Sequence, residues 1–137
     1  MVYQENQLTY EAYVSLRNAV GWIIFSENQI TNSIGNSRYI VTVEDDGQVI
    51  AMERLIGDGM YYIIADVVVR PEHQKCGIGG RILDMLVAYA EKETPHGGRT
   101  SIQLIAEKGK EAFYIKKGFK KIPHEHCGSG MRKIIRK

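Results

Sequence analysis

Cysteine, proline and tryptophan are all scarce in this chain: two Cys, three Pro and one Trp among 137 residues. Two cysteines, Cys76 and Cys127, are too few for a disulfide framework, and they read as two reduced thiols. No apolar run approaches the roughly 18 residues that cross a bilayer, and the opening MVYQENQ has neither the basic start nor the apolar stretch of a secretory leader. The expected address is therefore cytoplasmic, with no membrane partner. Low-complexity tracts and internal repeats are absent, which excludes solenoids and disordered tails. Lysine is missing altogether from the first 58 residues.

That last gap exposes an uneven charge distribution behind a net charge of only +2. Residues 1–58 carry three Arg against eight Asp and Glu, and all 15 remaining basic residues lie beyond them, against eight acidic ones. An acidic first part suits a cation and a basic second part suits an anion. The basic part has no nucleic-acid-binding motif or interleaved aromatic stripe, so no nucleic-acid partner is expected. With 44% hydrophobic and 25% charged residues, the composition is that of a globular protein, and 137 residues fit a single domain with one core.

Thr9 stands where it can cap a helix over YEAYVSLRNAV, with Leu8 placed to pack on Tyr13. Ser26 and Gln29 have the spacing of a capping box, and Gly35 is a natural stop. RYIVTVE and QVIAMERLI flank Asp45-Asp46-Gly47, a hairpin signal, and MYYIIADVVV follows as a long strand whose apolar end suggests burial on both faces. Ile82, Leu83, Leu86, Val87 and Ala90 then share one helical stripe. SIQLIA reads as a strand, KEAFYIKKG as a short helix, and FKKI and GMRKII as final strands. Helix, helix, three antiparallel strands, helix, strand, helix, strand, strand is a mixed α and β order around one sheet.

Between the long strand and the third helix lies VVVRPEHQKCGIGGR. Amides in the first turn of a helix have no intrahelical acceptor, and Gly77, Gly79 and Gly80 let a phosphate approach them closely. Arg70, Lys75 and Arg81 flank the turn. A nucleoside-triphosphate loop needs Gly-Lys followed by Ser or Thr, whereas Gly80 is followed by Arg81 and Ile82. The dinucleotide fingerprint needs a third glycine where Ile82 stands. Gln74-Lys75-Cys76-Gly77-Ile78-Gly79 has instead the form Gln/Arg-x-x-Gly-x-Gly/Ala.

On these residues the chain resembles the GNAT superfamily of acetyl-CoA-dependent N-acetyltransferases. The element order fits from Leu8 to Ile135, and AFYIKKGF at 112–119 is similar to the family's second signature. The resemblance implies an α+β fold with a mostly antiparallel central sheet, splayed in the middle and flanked by helices. It implies that Gln74, Lys75, Cys76, Gly77, Ile78, Gly79, Gly80 and Arg81 hold the CoA pyrophosphate. The pantetheine arm would run beside Val67, Val68 and Val69, and Lys117 would face the terminal phosphate. Acetyl-CoA is then the cosubstrate, and no metal takes part. Many relatives are dimers, so a homodimer is compatible with the resemblance, although no residue pattern demands one.

The same resemblance puts Tyr114 at the position of the proton donor to the departing thiolate. The base is open between Asp66, Glu53 and a water relay, because Gln103 stands where relatives often carry a glutamate. Glu107 replaces an asparagine that in many relatives touches the pantetheine arm. The first two helices and hairpin loops would wall the acceptor site with Tyr13, Trp22, Glu53, Arg54 and Tyr62. That set favours a small cationic primary amine. A protein lysine or N-terminal acetyltransferase and a non-catalytic CoA-binding sensor are the alternatives. His124-Glu125-His126-Cys127 looks like a metal motif, but neighbouring strand residues point to opposite faces and no second ligand pair accompanies it.

Overall fold

Thr9 and Ser26 open the first two helices as their side chains predict. Thr9 Oγ1 accepts from the Ala12 amide at the start of α1 (Tyr10–Ala19). Ser26 and Gln29 form the reciprocal capping box of α2 (Glu27–Gly35). The computed structural model describes all 137 residues, which form two compact units, Met1–Ile105 and Ala106–Lys137.

The first unit is a five-stranded sheet in the order β1 (Val2–Glu5), β2 (Tyr39–Asp45), β3 (Gln48–Gly57), β4 (Tyr61–Val69) and β5 (Ser101–Leu104). Strands β1 to β4 run antiparallel, and β5 lies parallel to β4 after the crossover through α3 (Ile78–Glu93). Asp46 and Gly47 both have positive φ, 49° and 76°, so the β2–β3 hairpin closes through a tight turn matched to strand twist.

Alternation along β2 and β3 assigns the helices to opposite faces. Tyr39 stacks on Tyr89 of α3, with ring centroids 4.4 Å apart. Its neighbour Ile40 packs instead with Leu8, Tyr13, Leu16, Ile30, Met52 and Val68, the core beneath α1 and α2. Burial of Ile82, Leu83, Leu86 and Ala90 along one stripe holds α3 on its own face; Val87 of the expected stripe is half-buried. Each fully buried Leu or Ile contributes about 1.5–3 kcal/mol.

β4 departs from a two-sided buried strand. Tyr62, Ile64 and Val68 are buried, whereas Tyr61 and Ile63 are 60% and 50% exposed. Strand β1 was not foreseen; VYQE is four residues with little alternation.

The second unit holds α4 (Glu111–Lys116), closed by Gly118 at a φ of 93°. The two final strands expected over FKKI and GMRKII do not form. A turn with a single bridge between His124 and Cys127 stands there instead. Pro123 has no amide to donate, Gly128 and Gly130 weaken extended pairing, and charged residues interrupt the apolar ones. His126 Nε2 meets its neighbour Glu125 at 3.7 Å, and no group of three or more His, Cys, Asp or Glu stands together to hold a metal. Cys76 and Cys127 are free, exposed thiols. No helix is long and apolar enough to cross a membrane.

Candidate active site

The sheet opens where β4 leaves β5. Their pairing runs only from Tyr61 with Ser101 to Ile64 with Leu104, yet β4 continues to Val69. Ala65 to Val69 therefore keep β3 on one side and have no strand on the other. The Arg70 amide donates to the Ile50 carbonyl on the β3 side at 2.8 Å, so by alternation Val69 turns its backbone outward, to the open edge.

A bulge shapes this open stretch. Met52 pairs with Val68 and Arg54 with Ala65, so Glu53 alone faces both Asp66 and Val67. Asp66 takes up the extra residue with a φ of 55°, in the left-handed region that Asp tolerates better than most residues. The bulge shifts the alternation, and Asp66 joins Ala65 and Val68 on the face of α1 and α2.

There Asp66 meets two guanidinium groups. Arg17 Nη1 donates to Oδ1 at 2.7 Å, Arg54 Nε donates to Oδ2 at 2.8 Å, and the Tyr13 hydroxyl donates to Oδ2 at 3.0 Å. All three charged side chains are at least nine-tenths buried, which makes the hydrogen bonds a requirement as much as a gain. Arg17 also donates twice to the Ile23 carbonyl, at 2.9 and 2.6 Å, and lies over the rings of Tyr13, Trp22 and Phe25. Arg54 Nη1 reaches the Ser33 carbonyl and Ser37 Oγ. Burial, and next the Asp66 charge, hold the Tyr13 phenol above its ordinary range, so it remains a donor.

Beyond β4 the chain makes a 3-10 turn, Pro71–His73, and swings into α3 through Lys75 and Gly77, whose φ values are 65° and 81°. No side chain caps α3 and no acidic residue sits in its first turn. Its first amides thus face outward with their partial positive charge uncompensated. An added Cβ at Gly77 would meet no atom within 4 Å, so the turn is not crowded there. Gln74 Nε2 donates to the Val69 carbonyl at 2.9 Å and ties the turn to the open edge. Uncapped amides beside an unpaired strand edge fit a ligand that is anionic at one end and amide-bearing along its length, as CoA is.

Of the basic residues near the turn, Arg70 is turned away, bonded to the Val49 carbonyl and to Ser15 Oγ. Arg81 lies 3.8 Å above the Tyr3 ring in a cation–π contact. Lys75 and Cys76 are exposed.

Residues 36–121 match the family model of the acetyltransferase (GNAT) domain. The chain belongs to the GNAT acetyltransferase family. It is accordingly an acyltransferase, with the mixed fold and the mostly antiparallel sheet of that family. A GNAT-family acetyltransferase from Streptococcus pneumoniae shares 26% identity and a TM-score of 0.81, over 99% of this chain and 98% of that one. A protein of unknown function from meticillin-resistant Staphylococcus aureus, described as a "Probable Acetyltransferase", shares 24% identity and a TM-score of 0.82 over 96% and 100% of the two chains. Glucosamine-6-phosphate N-acetyltransferase from Arabidopsis thaliana is similar in fold at 15% identity and a TM-score of 0.72, covering 99% and 100%. No curated protein sequence matches the chain.

Within this GNAT domain the five residues expected to wall the acceptor do not share a face. Tyr13, Trp22 and Arg54 gather around Arg17 and Asp66 under α1 and α2. Glu53 and Tyr62 lie on the α3 side, each at most 1% exposed, with no partner for the Tyr62 hydroxyl or either Glu53 oxygen. Burial first, and next the charge of Asp84 on α3, push the Glu53 carboxyl well above its ordinary range, which favours its protonated form. In the second unit, Tyr114 on α4 packs edge-on against Phe113 and Phe119 at 4.9 and 6.1 Å, and Lys117 ends the helix. Sequence reading names Arg17, Arg54 and Asp66 singly, Arg17 and Arg54 as possible binders of an anionic substrate group, and misses their pairing with Asp66; it misses Phe25 entirely, since its place beside Arg17 shows only in the fold.

Proposed function

We propose that the protein moves an acetyl group from acetyl-CoA to a small primary amine by direct attack in a ternary complex. The observation that carries this reading is the uncapped start of α3 tied by Gln74 to an open edge of β4, within a GNAT domain. In this reading the amides of Cys76 to Gly80 grip the pyrophosphate, with Lys75 and Arg81 adding charge beside the turn. The pantetheine arm runs beside Val67, Val68 and Val69, where Val67 and Val69 turn main-chain groups to the open edge, and an amide near Val67 steadies the oxyanion formed on attack. Lys117 pairs with the nucleotide's terminal phosphate.

Acetyl-CoA supplies the activated acyl group; the chain supplies orientation and protons. Tyr114 donates its phenolic proton to the leaving thiolate. Asp66 accepts from Arg17, Arg54 and Tyr13 at three of its roughly four lone-pair positions, which leaves about one for a substrate proton. Glu53 is fully buried on the α3 side, and burial favours its protonated form. Of the three candidate bases, a water relay is the one this arrangement favours.

A small cationic acceptor is supported by the acidic first part of the chain and by the aromatic rings near Arg17. A second chemistry has its own support: two guanidiniums against one carboxylate leave a positive excess at the bulge, suited to an amine that also bears a carboxylate or phosphate. Thiol release from acetyl-CoA, followed against polyamines, aminoglycosides, amino acids, amino-sugar phosphates and peptides, tests both. Turnover with a small amine is expected; turnover with peptides alone would replace the reading with a protein acetyltransferase. Acetyl-CoA binding without turnover on any acceptor would make the chain a CoA sensor.

A further inference from the structure

We propose that Asp66 is a positioning residue, the anchor of a latch that holds the β4 bulge in place for the acetyl group. The proposal rests on the reading that acetyl-CoA lies along the open edge of β4, and it assigns to Asp66 a task other than proton transfer. Asp66 is the one non-glycine residue of β4 in the left-handed region, at a φ of 55°, a conformation that is costly unless the surroundings fix it. Its surroundings do so from two directions. Arg17 comes from α1, Arg54 from β3, and the Tyr13 ring lies within reach of both guanidiniums, at 5.7 and 5.8 Å.

Each arm is itself anchored. Arg17 is fixed by two donations to the Ile23 carbonyl, and Arg54 by the Ser33 carbonyl and Ser37 Oγ at the far end of α2. The latch therefore joins α1, the segment after it, the end of α2, β3 and β4 at one carboxylate. The residue that follows the carboxylate in the chain is Val67, in the middle of the open edge that leads on to Gln74. A one-residue bulge reverses which side each following residue faces. Losing it would turn Val67 to Val69 over and misdirect the very backbone groups offered to the thioester end of the ligand, and would also break the Gln74 bond to the Val69 carbonyl, while the amides of the glycine turn itself would remain.

Two causes of the bulge make different predictions. If the chain merely needs a residue tolerant of positive φ, Asp66→Gly keeps the bulge and all binding. If the carboxylate anchor sets it, Asp66→Gly and Asp66→Ala both fail, and Asp66→Asn, which keeps one acceptor oxygen, recovers part of the loss. The probes are ADP, CoA and acetyl-CoA in calorimetry, with amide hydrogen exchange across residues 61–70 on the same full-length proteins. The latch predicts that Asp66→Gly exchanges faster at Val67 to Val69 and loses about tenfold more affinity for acetyl-CoA than for ADP, the loss of one or two main-chain hydrogen bonds to the pantetheine arm. Arg17→Lys, a milder change, should show the same pattern to a lesser degree if Asp66 variants fold poorly. Wild-type exchange and wild-type acetyl-CoA affinity in folded Asp66→Gly would overturn the latch. Absence of ADP and CoA binding in the wild-type protein would overturn the reading of the turn, and the exchange comparison would still judge the latch.

Discussion

Gln74 and Val69 are joined across the corner between β4 and α3: the Gln74 amide group donates to the Val69 carbonyl at 2.9 Å, at the end of the unpaired edge. The bond fixes the uncapped amides of α3 relative to that edge. Gln74→Ala removes one hydrogen bond of about 0.5–1.5 kcal/mol, and affinity for CoA should fall about threefold to tenfold. Because the side chain is exposed, the melting temperature should drop by no more than about 4 °C. Calorimetry with CoA together with a thermal melt checks both; unchanged affinity would remove Gln74 from the site.

Glu53 makes stability depend on pH. Its folded carboxyl is held well above the ordinary value of about 4.5, chiefly by burial and next by the Asp84 charge, so folding favours its protonated form. The stabilisation is complete below the unfolded value. It is lost as pH rises from about 4.5 toward the raised folded value, at up to about 1.4 kcal/mol per pH unit. Urea unfolding at several pH values should show the wild-type protein losing more stability with rising pH than Glu53→Gln. Parallel curves for the two proteins would contradict the neutral state of Glu53.

Tyr114→Phe isolates proton donation from packing, because the ring contacts with Phe113 and Phe119 do not need the hydroxyl. Turnover on an active amine should fall about 100-fold, with acetyl-CoA affinity near wild type. Full turnover in a folded variant would end the assignment.

Much of this architecture is legible in sequence because its causes are local. Thr9, Ser26 with Gln29, and Asp46-Gly47 act within three or four residues, and each forms the cap or turn that its chemistry suggests. The apolar stripe of α3 and the glycine turn are equally self-contained. The Arg17, Asp66 and Arg54 cluster is not: its ion pairs bridge separations of 49 and 12 residues, and the bulge that orients Asp66 exists only once β3 and β4 pair. For the same reason Glu53 and Arg54, adjacent in sequence, were grouped on one wall although strand alternation sends them to opposite faces. The last 20 residues misled in the other direction, since short apolar pieces read as strands only if backbone partners exist, and Pro123, Gly128 and Gly130 interrupt that pairing.

The central claim is that main-chain donors between Gln74 and Arg81 bind the diphosphate of CoA. Isothermal titration of the folded, full-length protein with CoA tests it without needing the acceptor. The account predicts a single site with a dissociation constant of about 1–100 μM that weakens as salt is raised. No measurable heat of binding for CoA or acetyl-CoA, on protein shown to be folded, would contradict it.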